Sequence, residues 1–190
     1  PLLVGGTIWI VLGDKQERPV VSEAALEAGH PQAVLILARG ERIDLTSGRT
    51  DSLPGQVGVH VLRDSARGVV YERREEQAEN PEYNTLVVPR QGEFQVVLAD
   101  GSKVYLNSES EIRYPTFFAG GERRVFLKGE AFFEVASDTS RPFIVEVGEM
   151  DVRVLGTRFN VNAYAPERAI RTTLVSGKVR VSDREDKAAV

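Results

Sequence analysis

The sequence contains no cysteine and only two histidines, and both shortages narrow the chemistry that the chain can perform. Without cysteine there is no disulfide framework, no thiol nucleophile and no thiolate metal site. His30 and His60 are far apart in the sequence, whereas a histidine metal site usually gathers several close ligands. We therefore predict no metal centre and no cofactor, and we interpret the two histidines as a loop residue and a strand residue.

The chain also has no excess of positive charge. Lysine and arginine number 24 against 28 aspartate and glutamate residues, which gives a net charge of −4 and a pI near 5.4. Binding to phosphate backbones requires a basic face, so this balance argues against nucleic acid as a partner.

The sequence patterns of common enzyme classes are missing: there is no dinucleotide-binding glycine motif, P-loop, zinc-protease helix or serine-hydrolase elbow. Glu130 and Glu134 raise the question of a glycosidase, which uses paired carboxylates. Their spacing in a strand pattern instead favours a turn residue and a strand-face residue. Asp183, Glu185 and Asp186 could bind calcium, but without a spaced ligand loop they indicate a solvated tail. We predict that the chain is not an enzyme.

Residues 1–12 (PLLVGGTIWIVL) form the most apolar run and carry no charge. Twelve residues are too few to cross a bilayer, which takes about 20. Trp9 lies near the polar end of the run, as is typical of a membrane interface. We favour the outer end of a transmembrane helix, and the alternative is a first strand buried in the core.

Apolar and polar residues alternate along much of the sequence, most clearly within residues 126–164. Met150, Val152 and Val154 alternate with Asp151 and Arg153, the period of a half-buried strand. Glycine interrupts the apolar runs at five places, which predicts turns there, including a tight turn over residues 128–130: Gly40, Gly101, Gly129, Gly148 and Gly177.

Two segments align without gaps and each predicts a hairpin: residues 33–45 (AVLILARGERIDL) and 94–106 (FQVVLADGSKVYL). The dipeptide at 100–101, Asp-Gly between alternating apolar residues, is a strong hairpin signal. Residues 172–182 predict a final hairpin around Gly177, residues 69–71 a short strand, and residues 22–28 a short helix or an ordered loop.

Together these patterns predict an all-β fold of many short antiparallel strands and hairpins. An irregular β-solenoid and a sandwich of stacked sheets both fit, with a slight preference for the solenoid. The aromatic residues of the central region are predicted to lie in the core: Phe117, Phe118, Phe126, Phe132, Phe133 and Phe143.

Several phrases occur in an order that resembles the FecR family, membrane-anchored regulators of extracytoplasmic-function sigma factors in Gram-negative bacteria. They are YNTL (83–86), PRQGEF (89–94), LADGSKVYLN (98–107), LKGEAFFEV (127–135), RPFIV (141–145), VLGTRFNVNAY (154–164) and TTLVSGKV (172–179). The likeness extends roughly over residues 32–182 and is closest to the long members common in Bacteroidetes.

The resemblance implies a domain organisation. Residues 1–17 would be the outer end of a transmembrane helix with its tether, and residues 18–185 a periplasmic β domain. Residues 186–190 would begin a linker to a further domain. Seven residues match family motifs and are expected to be structural: Asn107, Gly129, Glu130, Gly156, Thr157, Asn160 and Gly177. The resemblance does not identify partner-binding residues.

By the same resemblance, the chain would lie on the periplasmic face of the inner membrane, with a single-pass anchor. It would relay a signal from a TonB-dependent outer-membrane transducer to an extracytoplasmic-function sigma factor. The receptor's signalling domain would bind a region beyond the chain's C-terminal end, and the sigma factor a cytoplasmic region. The alternative is a non-catalytic carbohydrate-binding β domain with Asn160, Asn162 and Tyr164 along a shallow groove.

Overall fold

The computed structural model describes residues 30–46, 59–64, 68–73, 80–164 and 169–183, and within these ranges it contains fifteen strands and no helix. The all-β prediction is therefore confirmed. No helix in these ranges is long and apolar enough to cross a membrane. Residues 1–12 and the predicted helix at 22–28 lie outside the described residues.

The strands are short apart from one, and their bounds are as follows. They are β1 (His30–Pro31), β2 (Val34–Ile36), β3 (Arg42–Asp44), β4 (Val59–Asp64), β5 (Gly68–Arg73), β6 (Tyr83–Val88), β7 (Gly92–Val97), β8 (Lys103–Leu106), β9 (Ser110–Pro115), β10 (Arg123–Glu134), β11 (Phe143–Val147), β12 (Met150–Val154), β13 (Arg158–Ala163), β14 (Arg171–Ser176) and β15 (Arg180–Asp183).

The 12-residue strand β10 belongs to both halves of a curled sheet. Residues 123–128 of β10 pair with β9 and β11, in a first half ordered β3-β2-β6-β9-β10-β11-β12-β15. Residues 129–134 pair with β8 and β13, in a second half ordered β4-β5-β7-β8-β10-β13-β14. The result is a curled half-barrel of mixed sheet whose two halves are joined through β10.

Gly129 lies where β10 passes from one half to the other. Its φ of +84° is a backbone conformation that side chains disfavour, and a Cβ there would lie 2.6 Å from Ser110 Oγ. The predicted tight turn at residues 128–130 is therefore wrong: glycine is needed because the strand bends against a neighbouring strand, and the chain does not reverse.

The predicted final hairpin is also wrong. β14 pairs with β13 in the second half, whereas β15 pairs with β12 in the first. Gly177 thus lies at a corner that carries the chain between the halves. The hairpins predicted at residues 33–45 and 94–106 are confirmed as β2–β3 and β7–β8. The turn predicted at Gly148 joins the antiparallel pair β11–β12, and the strand predicted at residues 69–71 lies in β5.

Three strand pairs are parallel, which the antiparallel expectation missed: β1 with β7, β5 with β7, and β10 with β11. In the last case residues 135–142 return the chain from the second half to the first. β11 consequently enters beside β10 in the same direction.

The inner faces of both halves share one apolar core. Phe133 is at its centre, stacked on Phe159 with ring centroids 5.1 Å apart and edge-on to Phe143 at 6.2 Å. Phe126 and Phe132 are only half-buried because even-numbered positions of β10 face outward, so the prediction that they belong to the core is wrong.

Candidate functional site

The residues singled out by their family motifs gather in two places. Asn107, Glu130 and Asn160 form what we call the Glu130 cluster, which lies beside the bend at Gly129. Gly156, Thr157 and Gly177 meet at the corner between β14 and β15. Both groupings join residues from separate segments of the chain, and neither could be derived from sequence spacing.

Glu130 uses both carboxylate oxygens inside its cluster. Asn160 Nδ2 on β13 donates to Oε1 at 2.7 Å, and Asn107 Nδ2, just beyond β8, donates to Oε2 at 3.2 Å. The Asn107 backbone N–H also donates to the Glu130 carbonyl at 3.0 Å. Because an ionised carboxylate accepts such hydrogen bonds strongly, the cluster fastens three neighbouring strands together.

Two hydroxyl groups extend the Glu130 cluster toward β9. Ser110 Oγ accepts the Glu130 backbone N–H at 2.8 Å and lies 3.4 Å from the Tyr164 hydroxyl. Tyr164 donates its hydroxyl proton to the Ser108 carbonyl at 2.6 Å. This end of the second half is thereby held by side chains in addition to the strand ladder.

The carboxylates of Glu130 and Glu134 do not converge. Glu134 pairs instead with Arg158 at 3.0 Å and lies 3.9 Å from Lys103 Nζ. Four residues along a strand span roughly 13 Å, whereas glycosidase carboxylates are about 5–10 Å apart. The arrangement gives no support to the glycosidase hypothesis.

Across the described ranges, no group of three or more His, Cys, Asp or Glu side chains could hold a metal ion. Of the acidic residues considered for calcium, Asp183 ends β15, and Glu185 and Asp186 lie outside the described residues.

The second grouping is a close-packed corner. Thr157 Oγ1 donates to the Lys178 carbonyl at 2.9 Å, and the Lys178 N–H donates back to Oγ1 at 3.4 Å. A Cβ on Gly177 would lie 2.7 Å from Thr157 Oγ1, and one on Gly156 would lie 2.7 Å from Ser137 Cα. Both glycines therefore allow backbone segments to approach closely, as expected for structural residues.

A polar depression of about 460 Å³ lies next to the loop that joins β10 to β11. Beneath it Arg123 Nη1 contacts Asp100 Oδ2 at 2.7 Å, with both side chains almost fully buried. Arg123 also donates to the Ala136 and Arg141 carbonyls. Hydrogen bonds from Ser140 and Arg141 hold the pKa of Asp138, on the rim, well below its usual range.

Sequence reasoning missed Arg123 as a core residue. One signal was available: Arg123 shares its parity along β10 with the buried Val125 and Leu127, so it points inward. It also missed an outward ionic network in which Arg124 contacts Glu146 at 3.0 Å and Asp151 at 3.1 Å.

The residues proposed to bind sugar are half-buried and partly committed elsewhere. The Asn160 amide donates to Glu130 and the Tyr164 hydroxyl to a carbonyl. Asn162 Oδ1 is buried. Since a sugar site needs polar groups that are free to face a ligand, this arrangement does not favour carbohydrate binding.

Comparison with known proteins shows a match to a family model and similarity to solved structures. The family described as FecR protein matches residues 84–180, which include every motif residue named above. Two crystal structures of a candidate anti-sigma factor from Parabacteroides distasonis ATCC 8503 are similar to the chain. One is 41% identical with a TM-score of 0.53, covering 54% of this chain and 48% of that one. The other is 42% identical with a TM-score of 0.52, covering 53% and 48%.

The chain thus spans about half the length of these relatives. A search of curated proteins gives no match.

Proposed function

This chain belongs to the FecR protein family, and from that we propose that it is a regulatory portion of an anti-sigma factor. The observation that supports the proposal most is the family match over residues 84–180, joined to 41–42% identity with a candidate anti-sigma factor. The partner that this role requires is a sigma factor.

The finer proposal is that the protein relays a signal across the inner membrane. A TonB-dependent outer-membrane receptor, on binding its substrate, would contact the protein in the periplasm and release or activate an extracytoplasmic-function sigma factor. The uncharged run at residues 1–12, with Trp9 near its polar end, supports a single-pass anchor that leaves this domain on the periplasmic face.

Within that relay the domain would act as a scaffold that positions or shields a contact. The Glu130 cluster, and the corner between β14 and β15 where Thr157 bonds to Lys178, satisfy their polar groups internally and hold neighbouring segments together. A relay needs a signal that binds two states of the protein with different affinity, and a rigid scaffold is suited to transmit that difference.

The experiment is a sigma-dependent reporter in cells that express the full-length gene product with the neighbouring sigma factor and receptor. We expect Gly129→Ala, which strains the bend in β10, to alter reporter output and abolish induction. Gly101→Ala is the matched control, because Gly101 has nearly the same φ but open space around it.

A reporter that does not respond to deletion of the whole gene would refute the anti-sigma role. A separate pull-down between the full-length protein and the receptor's signalling domain tests the relay. If the two proteins do not bind each other but deletion of the gene still changes reporter output, only the TonB-linked part of the proposal is refuted.

A further inference from the structure

One nitrogen of a buried arginine has no hydrogen-bond acceptor. The side chain of Arg123, at the start of β10, is only 1% exposed. Its Nε donates to the Arg141 carbonyl at 3.0 Å, and its Nη1 donates to Asp100 Oδ2 at 2.7 Å and to the Ala136 carbonyl at 2.9 Å. These bonds leave the N–H groups of Nη2, to which no acceptor in the described part of the chain bonds. A buried donor without an acceptor costs free energy, so this one requires an explanation.

Arg123 belongs to the wall of the polar depression of about 460 Å³ beside the loop that joins β10 to β11. Pockets that hold small molecules have volumes of about 300–1,000 Å³. The loop is held in place by the body of the domain: the Ala136 N–H donates to Ser102 Oγ at 3.0 Å, and the Asp138 N–H donates to the Leu155 carbonyl at 2.8 Å. The depression is therefore already formed in the absence of a ligand.

The two carboxylates in this wall already have their own donors. Asp100 accepts hydrogen bonds from Arg123 Nη1 and from the backbone N–H and hydroxyl group of Ser102. Asp138 accepts the Arg141 backbone N–H at 3.1 Å and Arg141 Nε at 2.8 Å. Each carboxylate is thus paired with one arginine, and the positive and negative charges of the wall balance.

The groups that the wall still offers are hydrogen-bond donors. Arg141 is at the rim with its side chain 40% exposed, and among the described residues only its Nε, of the three guanidinium nitrogens, has a partner. Ser137 and Thr139 also line the depression, and each can donate a hydroxyl proton. A ligand that fits this wall must therefore present an acceptor.

We propose that the depression binds a small molecule through a carboxylate group, which accepts hydrogen bonds from Arg123 Nη2 and from the terminal nitrogens of Arg141. Hydrogen bonds between two ionised groups are about twice as strong as neutral ones, which favours a carboxylate over a carbonyl or hydroxyl group. A single negative charge is favoured over a dianionic phosphate, because Asp100 and Asp138 line the same space and repel the second charge. Nη2 is shielded from bulk water, where a charge-assisted hydrogen bond is strongest.

The test is a nuclear magnetic resonance titration of the full 190-residue chain with sodium acetate at constant ionic strength. We expect the amide signals of residues 136–141 and the side-chain signals of Arg123 to shift saturably, at about millimolar acetate. The Nη2 protons should also exchange more slowly with water once they have an acceptor. Acetamide, which has the same shape without the charge, should give no saturable shift, and inorganic phosphate should bind more weakly than acetate.

Arg141→Gln removes the rim guanidinium without altering the buried Arg123. We expect it to weaken acetate binding by about tenfold or more. Arg153→Gln is the matched control: Arg153 is 35% exposed and likewise contacts a single carboxylate, that of Glu122, but it does not line the depression. That variant should bind acetate as the parent does.

Several results would overturn the proposal. One is the absence of any saturable shift with acetate, and another is an equal response to acetamide. Tighter binding of phosphate than of acetate would contradict the carboxylate assignment, as would shifts that leave the Arg123 Nη2 signals unchanged. Equal losses in Arg141→Gln and Arg153→Gln would count against the site, and so would a crystal grown in acetate that shows only a water molecule on Nη2.

Discussion

Two glycines share one backbone conformation in different surroundings. Gly101 has a φ of +83°, and a Cβ added there would meet no atom within 4 Å, whereas a Cβ on Gly129, at +84°, would lie 2.6 Å from Ser110 Oγ. The strain of a left-handed residue is therefore equal at both sites, and the steric clash exists at only one. Comparing the two glycines therefore separates the cost of a left-handed backbone from the cost of a steric clash with a neighbouring strand.

We predict that Gly101→Ala destabilises the fold by about 1 kcal/mol, the cost of the left-handed backbone. Gly129→Ala should cost the same amount plus about 1–3 kcal/mol of overpacking against β9. Urea denaturation of both variants measures the difference. Equal losses would mean that Ser110 moves aside freely and that the bend in β10 tolerates a side chain.

Sequence reasoning identified Gly129 but gave it the wrong reason. A glycine between apolar runs predicts a break in regular structure, and local pattern cannot distinguish a reversal from a bend. Arg123 is a similar case. Its charge predicts the surface, and its burial is compensated by pairing with Asp100, 23 residues earlier, and by hydrogen bonds to the Ala136 and Arg141 carbonyls.

At the level of elements, β10 shows how strand alternation divides neighbouring aromatic residues. Phe133 is fully buried between Phe159 and Phe143, whereas Phe132 lies on the outer face beside Tyr105, with ring centroids 6.0 Å apart. The two phenylalanines are adjacent in sequence and share the same strand, so they form a matched pair.

We predict that Phe133→Ala lowers the free energy of unfolding by about 3–5 kcal/mol, since it leaves a cavity in the core. Phe132→Ala should cost about 1–2 kcal/mol, because its ring is already half-exposed. Chemical denaturation with matched m-values checks both. Similar losses in the two variants would contradict the assignment of inner and outer faces.

The sequence predicted most of the strands, but it predicted only some of the pairings between them. Hairpins β2–β3, β7–β8 and β11–β12 form between strands that are close in sequence, so turn residues and alternation suffice to predict them. β14 and β15 are equally close in sequence, yet each finds its partner elsewhere. Partner choice depends on which apolar face the rest of the molecule leaves open, and a local pattern does not contain that information.

At the scale of the whole molecule, a buried polar contact joins the two halves across the core. Tyr71 on β5 belongs to the second half, and Tyr114 on β9 and Asn84 on β6 belong to the first. The Tyr114 hydroxyl donates to the Tyr71 hydroxyl at 3.2 Å, and Asn84 Nδ2 donates to the same oxygen at 2.7 Å. The rings meet edge-on at 5.3 Å.

Burial raises the pKa of Tyr71 from 10.0 to about 12, although the hydrogen bonds from Tyr114 and Asn84 act in the opposite direction. Burial also raises the pKa of Tyr114 well above its usual value. The folded state therefore holds these protons more tightly than the unfolded state does. This contribution to stability is complete below pH 10 and is lost as the pH rises through 12.

We predict that the free energy of unfolding falls across this alkaline range by up to about 1.4 kcal/mol per pH unit for each tyrosine. Urea titrations at stepped pH, with tyrosinate absorbance recorded in parallel, measure the fall. The double variant Tyr71→Phe/Tyr114→Phe should show a smaller fall. An identical pH profile in the parent and the double variant would contradict the prediction.

The candidate site was predictable only through resemblance. Matches to FecR family motifs identified Asn107, Glu130 and Asn160 in the sequence. The contact among them requires β8, β10 and β13 to lie side by side. Tyr164 and Ser110, 54 residues apart, complete the same region. Long-range pairing of this kind follows from topology, so the sequence named residues of the site without revealing its geometry.

Because β10 supplies a strand to both halves, the domain has no seam along which it could be divided into independent folding units. A circular permutant opened at the exposed turn around Gly148 would keep β10 whole. One opened at Gly129 would require two new chain ends to reassemble a strand on which both halves depend. Engineers who want split reporters or insertion sites in this fold should therefore choose exposed turns and leave β10 uninterrupted.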